Sequence, residues 1–174
     1  FIIASSNTRI NMELLDTLES TGIPTAYFEV SGFDDYLRVL KVMTDITGRE
    51  DLYEKNGLGI QKQIDDVIAA SKERLGGEEG PTVLYLRVSA SALYAKNSKD
   101  SVLGEMLAAL GCRNIADDDE SLLETVSVEH ILETDPDYIF TVQLGSDTEG
   151  TKQHIETMFA EGSLWATLTA VKEG

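Results

Sequence analysis

Cationic side chains are scarce in this sequence: 14 lysines and arginines stand against 31 aspartates and glutamates, a formal net charge of −17. Such a surface repels phosphate backbones and anionic lipid, which argues against nucleic acid and against direct binding to a membrane surface. The single cysteine, Cys112, excludes an internal disulfide and a cysteine-ligated iron–sulfur cluster. It follows the helical pattern Leu103, Met106, Leu107, Leu110 and reads as buried and inert. The two histidines, His130 and His154, fall on predicted helices without further soft or imidazole ligands nearby, so they read as structural or surface residues and no metal site is assigned. No apolar run approaches the roughly 18–20 residues that a membrane-spanning helix needs.

Catalytic motifs are missing as well. There is no phosphate-binding G-x-x-x-x-G-K-[ST] loop and no G-x-S-x-G nucleophile elbow. Gly57-Leu58-Gly59 lies inside a helical pattern, where packing explains it better than dinucleotide binding. Asp65-Asp66, Asp118-Asp119 and the Asp135/Asp137 pair read as solvated faces or caps rather than as general acids and bases. No catalytic residue and no intrinsic cofactor is assigned.

What is present is an alternation of strand and helix signals. Phe1–Ala4 is a short apolar run that reads as a strand already under way. Met12, Leu14, Leu15 and Leu18 follow at helical spacing, with Gly22 closing that helix before Pro24. Thr25–Val30 reads as a strand and Phe33–Thr47 as an amphipathic helix. Tyr53, Gly57, Ile60, Ile64, Val67, Ser71 and Leu75 keep one helical phase, which predicts a single helix over Arg49–Leu75 despite two glycines. Gly76-Gly77-Glu78-Glu79-Gly80-Pro81 ends it. The pattern then restarts with a strand at Thr82–Val88, a polar irregular stretch Ser89–Asp100 and a helix Ser101–Leu110. An acidic loop Asp117–Glu120, a short helix Val126–Thr134, a strand Tyr138–Val142 and a helix Thr151–Phe159 complete it.

Strands separated by helices predict parallel pairing, hence an α/β chain with two open sheet lobes and one long connecting helix. The expected organisation is residues 1–48 as the remainder of a first lobe, 49–77 as the linking helix and 81–174 as a second lobe. Because the chain opens inside a strand and closes where a further strand is expected, it reads as truncated at both ends. Open α/β sheets bind ligands beyond the carboxyl ends of their strands. Those ends hold Ser5, Ser6 and Asn7 in the first lobe, and Arg87 through Tyr94 and Gln143 in the second. Arg87, Tyr94, Lys96 and Lys99 gather there in a chain otherwise poor in positive charge, which suits an anionic ligand that a tyrosine can stack on or coordinate.

Val126-Ser127-Val128-Glu129-His130-Ile131-Leu132, followed by Asp135-Pro136-Asp137-Tyr138-Ile139-Phe140, resembles the "S-x-E-x-(I/L)-L…x-P-D-x-I" signature of the ABC-transporter substrate-binding proteins for iron complexes, haem and cobalamin. Phe1–Ser6 is similar to the end of the same signature in the other lobe. Gly22-Ile23-Pro24, Gly48-Arg49-Glu50, Gly111 with Asn114-Ile115-Ala116, and Trp165 through Ala170–Gly174 also fall where that family has them. The resemblance implies a two-lobed, extracytoplasmic binder with a helical backbone. It would carry a metal complex, a ferric siderophore being favoured over haem or cobalamin, to a membrane permease. It further implies that Glu129 docks on the permease, a counterpart glutamate in the first lobe lying before Phe1. Contact with the membrane would come only through an anchor outside the chain, as in a lipoprotein. An α/β cofactor-binding enzyme domain and an interaction module without a small ligand stand as the alternatives.

Overall fold

The computed structural model describes residues 1–5, 14–99 and 101–172. They divide into two compact units, Phe1–Asp66 and Val67–Gly174. In the first, β1 (Ile2–Ser5) pairs in parallel with β2 (Thr25–Phe28), Ile2 opposite Thr25 and Ser5 opposite Phe28. The crossover includes α1 (Leu15–Ser20), which ends at Gly22 in the left-handed region, φ 69°; the start expected near Met12 lies outside the described residues. Next comes α2 (Phe33–Thr47), closed by Gly48 at φ 67° with the Arg49 N–H donating to the Thr44 carbonyl at 2.9 Å.

The predicted long helix is present as one uninterrupted helical run: α3 (Glu50–Tyr53), a wider π turn (Glu54–Leu58) and α4 (Gly59–Leu75). The π turn coincides with Gly57, where α2 comes close. A Cβ on Gly57 would lie 3.2 Å from side-chain carbons of Leu37 and Tyr53 and 3.3 Å from Leu40. The Tyr36 hydroxyl donates to the Asn56 carbonyl at 3.2 Å, serving a backbone group of the widened turn. Helix-to-helix packing thus accounts for the glycine inside the helical pattern.

The second unit is built around β3 (Thr82–Val88). Along one side it pairs in parallel with β6 (Tyr138–Gln143), from Val83 opposite Tyr138 to Val88 opposite Gln143. Its other side is shared: β5 (Arg113–Asn114) pairs in parallel with Thr82 and Val83, and β4 (Leu93–Lys96) pairs antiparallel with Tyr85–Val88. Helices α5 (Val102–Ala109), α6 (Ile115–Asp118), α7 (Ser121–Glu124), α8 (Val128–Thr134), α9 (Thr148–Met158) and α10 (Thr169–Lys172) surround this sheet, with a 3-10 turn at Trp165–Thr167. Leu84, Leu86 and Val88 point to one core with Leu122, Ile131 and Trp165, while Val83 and Tyr85 point to another with Leu107. Burial on both faces is why β3 reads as a continuous apolar run rather than an alternating one. At about 1.5–3 kcal/mol per fully buried aliphatic side chain, this strand is the main hydrophobic anchor of the unit.

The mixed α/β fold agrees with the sequence reading, and three local features differ from it. Ser89–Asp100 is not irregular throughout, because Leu93–Lys96 forms the edge strand β4. Four residues between a serine turn and a polar loop are too few for a period-2 pattern to stand out. Residues 117–120 are not a plain loop, since Asp117 and Asp118 end α6 while Asp119 and Glu120 link it to α7, and α9 begins earlier than expected, at Thr148, with Asp147 as its N-cap accepting from the Gly150 N–H at 2.9 Å.

The Asp135-Pro136-Asp137 segment works as a double latch. Asp135, at φ 43°, accepts from the Thr169 N–H at 2.9 Å and from its hydroxyl at 2.7 Å. Asp137 accepts from the Thr82 N–H at 2.7 Å and hydroxyl at 2.8 Å, pinning the start of β6 to the start of β3. Both carboxyls are held below the ordinary carboxylate range, Asp137 chiefly by the Thr82 N–H and Asp135 chiefly by the Thr169 hydroxyl. A lowered folded-state value means that this stabilisation is present above the unfolded value of about 3.9 and is lost as pH falls through the lower folded values. Asp137→Ala should therefore lower Tm at neutral pH, and the deficit against the parent should narrow below about pH 4. Thermal denaturation across that range checks it; a deficit that stays constant with pH would contradict the latch.

Candidate ligand-binding site

The carboxyl end of β3 brings several candidate residues onto one surface. Arg87 is opposite Tyr94 on β4 and opposite Val142 on β6. Directly paired residues share a sheet face, and Tyr85 with Lys96 and Phe140 continues that face one step back. Leu103 and Leu107 of α5 cover it at Val83 and Tyr85. Beyond that cover Tyr94 is 48% exposed and Val142 37% exposed. Arg87 is half-buried between them, with no hydrogen bond or ion pair to any described residue. A guanidinium partly removed from water without a counter-charge is unfavourable, and an anion placed beside it would offset that cost.

Lys96 joins this face, half-buried, and its carbonyl accepts from the Asn114 side-chain amide at 2.7 Å. Lys99 is exposed on the loop that follows, its N–H donating to the Asn97 side chain at 2.9 Å. That loop is fastened by Asp117, which accepts from the N–H and the hydroxyl of Ser98, both at 2.9 Å. It also lies directly on α5, where a Cβ on Gly104 would be 2.2 Å from the Asn97 carbonyl oxygen.

The remaining candidates stand elsewhere. Gln143 is opposite Val88, hence on the other face, and its amide donates to the Gly145 carbonyl at 3.1 Å and the Thr148 hydroxyl at 3.0 Å. Ser5 ends β1 in the first unit, opposite Phe28; Ser6 and Asn7 lie outside the described residues. Glu129 is exposed in the first turn of α8, capped by Ser127, whose hydroxyl accepts from the His130 N–H at 3.3 Å. Beside it the His130 imidazole is 3.4 Å from the Asp119 carboxylate.

One feature of the second unit was not anticipated from the sequence. A recess of about 410 Å³ opens beside the β3–β4 turn, lined among others by Leu93, Leu123, Glu124, Val126 and His154, with Tyr94 at its border. The sequence predicts a structural or surface role for His154; its Nδ1 lies 2.7 Å from the Ser89 carbonyl oxygen, at the carboxyl end of β3. The sequence signal was its place on the stripe Thr151, Ile155, Met158, the face by which α9 meets the sheet. In the first unit a second recess, about 490 Å³, lies at the end of β2, lined by Tyr27, Glu29, Ser31, Asp35 and Arg38 among others. There Asp35 accepts from the Ser31 N–H at 2.9 Å and pairs with Arg38, and the Ser31 bond is the chief cause of its lowered pKa. Among the described residues no three His, Cys, Asp or Glu side chains form a cluster that could hold a bare metal ion. No helix among them is long and apolar enough to cross a membrane.

A sheet of mostly parallel strands covered by helices, with a cationic and aromatic patch at the carboxyl end of its central strand, describes a binding domain, and the chain belongs to the periplasmic binding protein family, whose profile matches residues 2–174. The fold is similar to the iron-uptake system-binding protein FeuA from Bacillus subtilis, with 17% identity and TM-score 0.70 over 99% of this chain and 60% of that one. It is similar also to a possible iron-binding, periplasmic solute-binding protein from Staphylococcus epidermidis, with 20% identity and TM-score 0.67 over 99% of this chain and 64% of that one. A periplasmic haem-binding protein from Pseudomonas aeruginosa shares 19% identity and TM-score 0.64, over 97% of this chain and 58% of that one. The chain thus spans 58–64% of the length of these solved structures. No curated protein is a significant match.

The contact of Gly104 with the Asn97 backbone generates a prediction. Gly104→Ala should destabilise the second unit by about 1–3 kcal/mol, although alanine is the better helix former, because the clash is with backbone. Chemical denaturation reads this, and an unchanged or raised midpoint would contradict the close packing of the lysine-bearing loop on α5.

Proposed function

We propose that the chain forms the ligand-capturing core of an extracytoplasmic solute-binding protein of an ABC importer, and that its cargo is an anionic iron complex. The observation that carries this reading is Arg87, half-buried and unpaired beside Tyr94 at the carboxyl end of β3, in a chain of net charge −17. A cation kept out of ion pairs where acids are abundant suits a carboxylate- or catecholate-bearing chelate, with Tyr94 offering an aromatic face. Lys96 and Lys99 extend the positive rim under this proposal. The printed descriptions of similar structures, iron uptake for FeuA and haem binding for the Pseudomonas protein, support iron complexes as the class. Ferric siderophores and haem fall within it, and cobalamin, a cobalt corrinoid, is the alternative metal complex. The protein binds and releases its cargo without chemical change.

Glu129 is the proposed contact with the permease. It is an exposed acid in the first turn of a helix, free to meet an arginine without disturbing the core. Attachment to the membrane would come through an anchor outside this chain.

Titration with ferric siderophores, haemin and cobalamin, followed by visible absorbance and by quenching of the single tryptophan, tests the reading. Saturable binding of an anionic iron complex is expected, and Arg87→Ala should weaken it about tenfold or more, some 1.4 kcal/mol. Glu129→Lys should leave that affinity unchanged while reducing stimulation of the partner permease's ATPase. Binding that is indifferent to Arg87 would remove the patch from the site, and saturable binding of none of the ligands would overturn the function.

A further inference from the structure

His154 is held in an arrangement that surface histidines do not need. A carbonyl oxygen can only accept, so the Nδ1 atom 2.7 Å from the Ser89 oxygen carries the proton. In the neutral ring the lone pair is then on Nε2. That nitrogen has no partner among the described residues, although the ring is half-buried and lines the recess beside the β3–β4 turn. A backbone carbonyl fixing one ring nitrogen so that the other presents its lone pair is the usual support of a metal-binding histidine.

The surroundings restrict what that nitrogen can meet. The described residues hold no cluster of three or more His, Cys, Asp or Glu, so a bare cation would find too few ligands here. A metal bound at His154 must arrive with most of its coordination sphere filled. Leu93, Leu123 and Val126 make part of the recess wall apolar beside the polar Ser91, Glu124 and Thr125, which suits a ligand with a flat hydrophobic face and a polar edge. The volume, about 410 Å³, lies in the ordinary range for sites that hold part or all of a small organic ligand.

Resting on the reading of this chain as a binder of iron complexes, we propose that His154 Nε2 coordinates the metal of the cargo, and that the cargo is a complex with an open axial position and an apolar face, of the metal–macrocycle class. Ligation forms one metal–nitrogen bond and displaces a water or other weak axial ligand; no redox change is required. A ferric siderophore with all six positions occupied has no place for this nitrogen, so the recess moves the choice within the iron complexes away from the siderophore favoured by the sequence alone.

The test compares haemin with a saturated ferric trihydroxamate on the parent chain and on His154→Ala. Expected is a ferric-haem spectrum with the signature of imidazole ligation in the parent, its loss and a fall in haemin affinity of about tenfold or more in the variant, and restoration by added imidazole. Imidazole rescue separates loss of a ligand from loss of fold. Identical haemin spectra for parent and variant would overturn the coordination, and tighter binding of the trihydroxamate than of haemin by the parent would overturn the cargo class, both leaving the iron-complex function in place. Saturable binding of neither probe by the parent would overturn this inference, and failure of an anionic ferric catecholate to bind as well would overturn that function with it.

Discussion

The second unit depends on the burial of β3 on both faces. Val83, Leu84, Leu86 and Val88 are fully shielded from solvent, and each face has its own cluster of helix-borne side chains. A strand enclosed in this way needs partners along both edges, which β6 supplies on one side and β5 and β4 share on the other. Asp137 ties its first residue to β6, so that the register is set where the strand begins and the side chains where it ends are placed by consequence. Arg87, the one charged residue of the strand, falls where the helical cover gives out.

Charge sharpens this placement. In a chain of net charge −17 several exposed cations pair with carboxylates, as Arg49 does with Asp51, Lys62 with Asp66 and Arg113 with Glu79. These are exposed pairs of small energetic value. Arg87 is different in being half-buried without an ion pair, so it offers an anionic ligand a local attraction that the acidic surface elsewhere does not. On the other side of the strand end, His154 lines a recess whose wall is partly apolar, its Nδ1 held by the Ser89 carbonyl.

Much of this was legible in the sequence because it follows from periodicity. The apolar run of β3, the phase carried through Gly57 from Tyr53 to Leu75, and the stops at Gly22 and Gly48 each have a local physical cause and appear where expected. The edge strand Leu93–Lys96 was illegible because its pairing with β3 is a tertiary fact and its pattern is too short. The pairing of Arg87 with Tyr94 came out of that same strand, so sequence proximity suggested the cluster without revealing that the two share a face. His154 was hidden for another reason: its hydrogen bond reaches Ser89, far away in the chain, and nothing in the local pattern of α9 distinguishes a core-facing histidine from a ligand. Gln143 ends its strand as the pattern predicts, yet its amide is engaged with Gly145 and Thr148 on the opposite face.

The most direct test of the central claim, that ligand is captured at the carboxyl end of β3, is a residue-resolved NMR titration of the labelled chain with a diamagnetic gallium(III) analogue of the iron complex. Saturable shifts confined to Arg87, Ser89, the Leu93–Lys96 strand and His154 are predicted. Saturable shifts centred elsewhere in the second unit, with these residues unmoved, would contradict the account.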